Sequence, residues 1–225
     1  MKALTEEHLA TLRRHMVEVI DIEYELTAEE TGRERVRDRL RDALLTVPRH
    51  LFVPAQLGAL AYQDRPLPIG FDKTISQPFM SALMIDLLDL RPGNRVLEVG
   101  TGLGYQTALL AGLAGPVWSV DVVEEFVVAA AGRLRLLERT EVTLRVGDGS
   151  RGWPEMAPFD AILVSAAAKE MPAVLAQQLE VGGRMVLPIG PPGAQRLTRA
   201  ERVSDEEVVA TEIMAVSFTE LEVAP

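Results

Sequence analysis

A glycine-rich turn at residues 100–104 constrains the fold of this chain more than any other feature. An apolar run at 95–97 leads into the turn, and a helix-like run at 106–113 follows it. Glycine has no Cβ, so it adopts the dihedral angles of a tight turn and lets a ligand approach the backbone. The order of strand, glycine turn and helix predicts the first half of a βαβ unit that holds a nucleoside.

An acid follows this turn at the end of the next apolar run, since Asp121 comes 23 residues after Glu98. That placement suits the acceptance of hydrogen bonds from ribose hydroxyls. A dinucleotide-binding turn has the spacing Gly-x-Gly-x-x-Gly, but here Gly104 comes one residue early and Tyr105 fills the expected place. With Glu98 two residues before Gly100, the pattern Glu-x-Gly-x-Gly-x-Gly resembles motif I of S-adenosylmethionine (SAM) methyltransferases. The alternative is a βα turn whose glycines serve packing alone.

Composition limits the class of protein. A chain of 225 residues, 48% of them apolar, fits one domain with a sizeable buried core. Its apolar runs are shorter than a membrane span, and the first seven residues lack the apolar core of a secretory signal. We therefore expect a cytoplasmic protein without a membrane partner.

Cysteine content and charge exclude further classes. The sequence has no cysteine, which excludes disulfides, thiolate catalysis and cysteine-ligated zinc. A net charge of −10 and a pI near 4.9 oppose binding to a polyanion. We expect neither a nucleic acid partner nor a bound metal.

Strands and helices alternate after the glycine turn. Apolar periodicity predicts strands near 95–99, 117–121, 142–146, 159–164 and 184–189, and helices near 104–113, 123–137 and 172–179. Two further strands, 195–203 and 208–218, flank a short turn and predict an antiparallel pair at the sheet edge. The pattern predicts an α/β fold, a doubly wound, Rossmann-like SAM-methyltransferase sheet.

The first third of the chain has a different character. Residues 1–46 contain two runs with helical spacing, and prolines then break the segment from Val47 onwards into what we expect to be largely loop. A helix is predicted from Ser76 to Leu88, with Ser76 near the N-cap and Pro78 in the first turn. The sequence therefore adds an N-terminal helical segment to the predicted sheet.

Several stretches together resemble one methyltransferase family. They are Val-Pro-Arg-His-Leu-Phe-Val-Pro at 47–54, Ala-Tyr-Gln-Asp-Arg-Pro-Leu-Pro-Ile-Gly at 61–70, Thr-Ile-Ser-Gln-Pro at 74–78, the glycine turn, Gly-Asp-Gly-Ser-Arg-Gly-Trp-Pro at 147–154, and Gly-Gly-Arg-Met-Val-Leu-Pro-Ile-Gly at 182–190. This set resembles the protein-L-isoaspartate (D-aspartate) O-methyltransferases over about residues 47–190. The element at 74–78 is the most specific, because other SAM-binding proteins do not carry it.

The resemblance implies transfer of the SAM methyl group to the α-carboxylate of L-isoaspartyl residues in damaged proteins and peptides, with D-aspartyl residues as a further acceptor class. The ester then collapses to a succinimide that hydrolyses partly to aspartate. A carboxylate has a pKa of about 4, so at neutral pH it is already the nucleophile and needs no general base. We therefore expect catalysis by positioning.

The resemblance also assigns residues to the site. Ser76 is expected to orient the acceptor carboxylate. The expected cofactor-binding residues are Glu98, Gly100, Thr101, Gly102, Gly104, Tyr105, Asp121, Asp148 and Gly149. The expected substrate-binding residues are Tyr62, Asp64, Ile75 and Pro188. In domain terms, residues 1–78 would form the N-terminal helices and substrate-lining loop, and residues 79–225 the SAM-binding core of the same domain.

Structural alternatives exist for several of these residues. Ser76 can cap the helix that follows it, and Asp148 can be a turn aspartate instead of the residue that contacts adenine. Tyr62 can be a buried aromatic residue, and Asp64 a turn aspartate. Glu98 either orients the glycine turn or reaches the methionine amino group through water.

The chain departs from the family pattern near its end and its beginning. Residues 216–221 read Val-Ser-Phe-Thr-Glu-Leu, where the family often has Val-Arg-Phe-Val-Pro-Leu, so a cation is lost and an acid is gained near the expected substrate groove. The pair Asp72-Lys73 replaces the more usual Gly-Gln, and the first 46 residues match the family start poorly. Two alternatives therefore stay open: a methyltransferase dedicated to one peptide or protein, and a SAM-binding regulatory protein without turnover. Base methylation is disfavoured, because Ser-Ala-Ala-Ala at 165–168 replaces the Asn/Asp-Pro-Pro-aromatic motif.

Overall fold

The structure is a computed structural model that describes residues 5–222. The helices are α1 (Glu6–Leu26), α2 (Ala28–Thr31), α3 (Asp38–Thr46), α4 (Pro78–Leu87), α5 (Tyr105–Leu113), α6 (Glu124–Leu136) and α7 (Ala173–Ala176). The strands are β1 (Leu67–Gly70), β2 (Lys73–Ile75), β3 (Val96–Val99), β4 (Val117–Asp121), β5 (Val142–Val146), β6 (Phe159–Val164), β7 (Leu179–Ile189), β8 (Gln195–Arg202) and β9 (Val208–Val216). None of the helices in these residues is both long and apolar enough to cross a bilayer.

Strands β3 to β9 form one mixed sheet in the order β5-β4-β3-β6-β7-β8-β9. Strands β3 to β7 pair in parallel, whereas β8 pairs antiparallel with both β7 and β9. This confirms the predicted doubly wound sheet with an antiparallel pair at one edge. The strand order reverses next to β3, and open α/β sheets bind ligands outside the carboxyl ends of the strands at such a point.

The N-terminal helices pack onto the sheet and share its core. Helix α1 begins after Thr5, whose side chain accepts a hydrogen bond from the backbone N–H of His8. Its buried face includes Tyr24, whose ring meets Phe79 of α4 edge-on at 5.8 Å between centroids. Residues of α1, α3 and α4 belong to the same buried apolar cluster as residues of β3 and β6. The predicted helical segment is therefore present as an integral layer of the fold.

The segment between α3 and α4 contradicts the expectation of a largely irregular loop. It contains two 3₁₀ turns, Arg49–Phe52 and Ala55–Leu60, and the antiparallel hairpin β1–β2. The hairpin turns at Phe71 and Asp72, whose φ angles of 50° and 54° are uncommon for residues that carry a Cβ. The prediction failed because these residues supply the hairpin turn without the usual Asn-Gly or Asp-Gly signal.

The predicted helix 172–179 is also wrong in length, because α7 ends at Ala176 and β7 begins at Leu179. The carbonyl oxygen of Gln178 accepts a hydrogen bond of 2.8 Å from the backbone N–H of Phe159, which draws the chain into the sheet. The Gln178 side chain accepts from the N–H of Trp153 at 2.7 Å. Contacts made by residues distant in sequence thus override the local helical pattern.

Candidate active site

A cavity of about 840 Å³ lies beside the glycine turn at the carboxyl ends of β3, β4 and β6, and we call it the glycine-loop cavity. Hairpin β1–β2 and residues 219–222 close its outer side. The predicted site residues that line it are Ile75, Ser76, Gly100, Thr101, Gly102, Asp121 and Gly149.

A second, larger depression of about 1520 Å³ adjoins this cavity, and we call it the outer groove. It runs between α1, the start of α4 and residues 214–219. Four residues line both spaces: Thr74, Ser76, Ser165 and Thr219. Ser76 therefore lies where the glycine-loop cavity meets the outer groove.

The glycine turn is held in place by the acid at the end of β4. Gly100, Gly102 and Gly104 have φ angles of 96°, 51° and 94°, a region that residues with a Cβ rarely adopt. The N–H of Gly102 donates to Oδ2 of Asp121 at 2.8 Å, and the N–H of Val123 donates to Oδ1 at 3.0 Å. Each carboxylate oxygen can accept a second hydrogen bond from a ligand.

The carboxyl group of Asp121 sits in a mixed electrostatic environment. Burial raises its pKa above the ordinary value, and the two backbone N–H donors oppose that rise. Lys73 acts in the same direction as these donors, whereas Glu222 adds to the rise. Bound hydroxyl groups would further favour the ionised form, because they donate to the carboxylate.

Glu98 lies behind the glycine turn and does not line the glycine-loop cavity. It is fully buried, and its Oε2 accepts hydrogen bonds from the hydroxyls of Thr107 at 2.5 Å and Ser119 at 2.6 Å. The Ser119 hydroxyl lies 2.6 Å from that of Thr101 in the turn. Burial raises the pKa of Glu98 to about 7. This geometry ties the turn, α5 and β4 together, which is the first of the two roles considered for Glu98.

Three other predicted cofactor residues lie outside the cavity lining. A Cβ on Gly104 would come within 3.1 Å of the Cβ of Ala130, so this glycine allows α6 to pack closely on the turn. Tyr105 is buried against Phe52, with ring centroids 5.7 Å apart. Asp148 accepts hydrogen bonds from the N–H and hydroxyl of Ser150 and begins a 3₁₀ turn. In the structure, these three residues therefore make contacts within the protein and do not line the cavity.

Tyr62, Asp64 and Pro188 line neither the cavity nor the groove. The Tyr62 hydroxyl lies 2.7 Å from Nδ1 of His50 and accepts from Nε of Arg13 at 3.3 Å. Pro188 is a buried residue of β7 opposite Leu197 of β8. Of the four predicted substrate-binding residues, Ile75 alone reaches the lining of the glycine-loop cavity.

Ser76 does not take its alternative role as the cap of the helix that follows it. Helix α4 begins after Gln77, and Gln77 makes no side-chain capping bond. The cap comes from Asp64, whose Oδ1 accepts a 2.8 Å hydrogen bond from the backbone N–H of Phe79. Within the part of the chain that the structure describes, the Ser76 hydroxyl makes no hydrogen bond. It is therefore available to a ligand.

Sequence reasoning missed Gln106, which lines the glycine-loop cavity from α5. Its Oε1 accepts from the hydroxyl of Ser165 at 3.3 Å, whereas its Nε2 is buried without a hydrogen-bond partner among residues 5–222. A buried amide donor without a partner is costly, so a ligand acceptor at this point would stabilise the site. A polar side chain within the apolar helix α5 was the available signal.

The C-terminal segment, expected near the substrate groove, lies at the site, because residues 214–219 line the outer groove and residues 219–222 line the glycine-loop cavity. The N–H of Ala167 donates to the carbonyl of Thr219 at 2.8 Å, and that of Leu221 donates to the carbonyl of Ala167 at 2.9 Å. Glu222 pairs with Lys73 at the end of hairpin β1–β2. The contact of residues 219–222 with the glycine-loop cavity itself was not predicted, because this segment follows the last strand and has no periodic pattern.

Comparison with known proteins identifies the family. The sequence model for protein-L-isoaspartate(D-aspartate) O-methyltransferase matches residues 23–223. The chain belongs to this family. The match extends beyond the resemblance at residues 47–190 in both directions, so the expectation that the first 46 residues fit the family poorly is wrong from residue 23 onwards.

Relatives in this methyltransferase family cover nearly the whole chain. Protein-L-isoaspartate O-methyltransferase 1 of Polaromonas sp. (strain JS666) is 45% identical over 219 residues, which cover 97% of this chain and 93% of the relative. The corresponding enzyme of Methylorubrum populi (strain BJ001) is 51% identical over 179 residues, which cover 80% of this chain and 84% of the relative.

Solved structures give the same fold. A protein-L-isoaspartate O-methyltransferase structure has a TM-score of 0.76 at 27% identity and covers 92% of this chain, which spans 65% of that chain's length. A Plasmodium falciparum structure in complex with S-adenosyl-L-homocysteine has a TM-score of 0.77 at 23% identity, covering 95% of this chain and 97% of that one, and shows the fold alone.

The methyl donor of this family is SAM, and the glycine-loop cavity fits it. The turn at 100–104 presents backbone close to the cavity, Asp121 offers acceptor oxygens, and the Gln106 amide offers a buried donor. A Cβ on Gly149 would lie 2.4 Å from Cγ1 of Val99, so this wall also needs a glycine. No cluster of metal-ligating side chains occurs among residues 5–222.

Proposed function

We propose that this chain transfers the methyl group of SAM to the carboxylate of L-isoaspartyl residues in proteins and peptides, and that this step begins their return to aspartate through a succinimide. The observation that carries the proposal is the position of Ser76 between the glycine-loop cavity and the outer groove. A group that orients the acceptor has to lie between a donor site and an acceptor site.

The glycine-loop cavity is the donor side in this proposal. Asp121 binds the ribose hydroxyls, the turn at 100–104 holds the methionine portion, and Gln106 donates to an acceptor of the cofactor through its free Nε2. Asp148 begins the 3₁₀ turn whose first residue, Gly149, lines the cavity, and it is proposed to act at the adenine end. When bound, SAM supplies an electrophilic methyl group attached to a sulfonium.

The outer groove is the acceptor side. The Ser76 hydroxyl donates a hydrogen bond to the acceptor carboxylate, which leaves one carboxylate oxygen directed at the methyl group. No residue has to remove a proton, because the acceptor is ionised at neutral pH. The contribution of the protein is to hold the reactants in line and to exclude water, and such positioning can account for a large part of a rate enhancement.

The charge of the outer groove bears on which peptides it accepts. Among the described residues that line it, Glu23 carries the single charged side chain. Ser217 and Thr219 occupy the groove where the family often has an arginine and a valine. Peptides with a basic residue near the isoaspartate are therefore favoured over peptides with an acidic one.

Both parts of the proposed division of the chain contribute to the site. Residues 1–78 contribute Glu23, Thr27 and hairpin β1–β2, and residues 79–225 contribute the glycine turn and the sheet ends. We assign SAM binding mainly to the second part, whereas both parts contribute to acceptor binding. The last strands complete the outer groove.

A matched peptide pair tests this function. The assay follows base-labile methyl transfer from labelled SAM to an L-isoaspartyl peptide and to its aspartyl twin, with cofactor binding measured in parallel by calorimetry. Transfer to the isoaspartyl peptide alone is the expected result. Cofactor binding with no transfer to a panel of isoaspartyl peptides would contradict the proposal and favour a dedicated acceptor or a regulatory role.

A further inference from the structure

Arg49 is a wholly buried arginine that has no role in the reaction described above. It lies in the 3₁₀ turn Arg49–Phe52, and its exposed fraction is 0%. Arginine is almost never fully buried unless it is paired, because removing a charge from water is costly. Its contacts therefore indicate what the buried charge is used for.

The guanidinium joins two backbone segments that are far apart in the sequence. Nε donates to the carbonyl oxygen of Ala61 at 2.7 Å, and Nη2 donates to the carbonyl oxygen of Ser76 at 2.6 Å. The guanidinium carbon lies 4.7 Å from the centroid of the Tyr105 ring, so the charge also rests on an aromatic face. A planar fork with several donors can hold two carbonyls at once, whereas a lysine ammonium cannot reproduce that geometry.

Asp64 holds the residues that directly follow Ser76. Its Oδ1 accepts from the N–H of Phe79 at 2.8 Å, and its Oδ2 accepts from Nε2 of Gln77 at 3.2 Å. The charges of Arg49 and Asp64 stabilise each other. The Ser76 carbonyl, the Gln77 side chain and the Phe79 N–H are thus each held by a hydrogen bond, whereas the Ser76 hydroxyl makes none within residues 5–222.

We infer that Arg49 is a positioning residue that acts through Ser76, because its hydrogen bond to the Ser76 carbonyl fixes the backbone from which the acceptor-orienting hydroxyl projects. This inference rests on the proposed function for its effect on turnover. Its structural part, the immobilisation of residues 74–80 by Arg49, does not depend on the identity of the acceptor. The two parts can therefore be tested separately.

The test is a double-mutant cycle with Arg49→Lys and Ser76→Ala. For an isoaspartyl peptide we expect Arg49→Lys to lower kcat by about 10- to 100-fold, the scale of a misplacement of about 1 Å. The affinity for S-adenosyl-L-homocysteine should change by less than about twofold, because Arg49 does not line the glycine-loop cavity. In the Ser76→Ala background, Arg49→Lys should have little further effect on kcat, because the hydroxyl that it positions is gone.

A matched control comes from Arg39, whose Nη2 also donates to a backbone carbonyl, that of Leu113 at 2.6 Å, away from both the cavity and the groove. Arg39→Lys should leave kcat unchanged. Hydrogen exchange measured by mass spectrometry supplies the readout that needs no acceptor. In Arg49→Lys, we expect faster amide exchange in residues 74–80 than in the wild type, with little change in the strands of the sheet.

Each outcome decides between the two claims. If Arg49→Lys lowers kcat by the same factor in the wild-type and Ser76→Ala backgrounds, the inference is overturned, because Arg49 would then act on the fold as a whole. Unchanged exchange at 74–80 would overturn it as well. A third outcome is that the wild type methylates no isoaspartyl peptide while Arg49→Lys speeds amide exchange only in residues 74–80. In that case the proposed function fails and the positioning of residues 74–80 by Arg49 stands. If Arg49→Lys does not fold, Arg49→Gln, which keeps an uncharged donor, is measured in the same cycle.

Discussion

The backbone N–H of Gly102 donates to Oδ2 of Asp121 at 2.8 Å, inside the cavity that the glycine turn lines. The same carboxylate thus fixes the turn and offers lone pairs to a ligand. This double use connects the shape of the turn to cofactor affinity. It also means that the acid cannot be removed without disturbing the turn.

Asp121→Ala is expected to weaken S-adenosyl-L-homocysteine binding by about 1–3 kcal/mol, because a buried acceptor for ligand hydroxyls is lost. This corresponds to a roughly 5- to 150-fold rise in Kd, measured by calorimetry. Asp205→Ala, in the exposed turn between β8 and β9, serves as the control. An Asp121→Ala protein with unaltered affinity would refute the assignment to ribose.

Glu98→Gln is expected to make the fold less sensitive to pH. Burial raises the pKa of Glu98 to about 7 from its ordinary value of 4.5, so the folded state holds this proton more tightly than the unfolded state. Stability from this group is therefore fully present below pH 4.5 and is lost as the pH rises through 7. Glutamine resembles the protonated acid and does not ionise.

Urea unfolding at pH 5 and pH 8 measures this effect. Relative to the wild type, we expect Glu98→Gln to gain about 2–3 kcal/mol of unfolding free energy between the two pH values. Comparing the two proteins at each pH cancels the titration of all other groups. A difference that does not change with pH would show that Glu98 is ionised throughout this range.

Substitutions of Asp64 separate its capping role from substrate binding. Asp64→Ala removes the acceptor for the Phe79 N–H and should lower the free energy of unfolding by about 0.5–2 kcal/mol. Asp64→Asn keeps an acceptor oxygen and should retain more of that stability. Because Asp64 lines neither the cavity nor the groove, Asp64→Asn should leave the KM for the peptide unchanged. A large rise in KM with unchanged stability would restore it as a substrate ligand.

The charge of Glu23 is expected to set a preference among peptides. At low salt, a peptide with lysine beside the isoaspartate should have a kcat/KM several-fold higher than that of the same peptide with glutamate at this position. High salt should reduce this ratio. Glu23→Gln should bring the ratio towards one. Glu25→Gln, an exposed neighbour on α1 outside the groove lining, should not. A ratio unaffected by Glu23→Gln would place the selectivity elsewhere.

Local patterns were enough to predict the centre of the fold. The strand, turn and helix around Gly102 follow from a short apolar run, glycines that reach positive φ and a second apolar run, all within about twenty residues. The antiparallel edge pair β8–β9 was predicted for the same reason, since one short turn joins two strands. These elements depend on neighbours in sequence.

The parts that were missed depend on neighbours in space. The cap of α4 comes from Asp64, 15 residues before Phe79, and the ion pair of Lys73 with Glu222 spans 149 residues. No local pattern encodes such contacts. The capping role of Asp64 was therefore not predicted, and residues 216–221 were expected near the substrate groove without their contact with the glycine-loop cavity. Gln106 was different, because a polar residue in an apolar helix could have been noticed.

The most direct test of the account is the effect of Ser76→Ala on cofactor affinity and turnover measured side by side, with Ser204→Ala in the β8–β9 turn as the control. Because Ser76 is proposed to orient the acceptor, the Kd for S-adenosyl-L-homocysteine should stay within about twofold, while kcat for an isoaspartyl peptide falls by about 10- to 100-fold. Unchanged turnover, or a loss of cofactor binding as large as the loss of turnover, would contradict a serine that joins the two halves of the site.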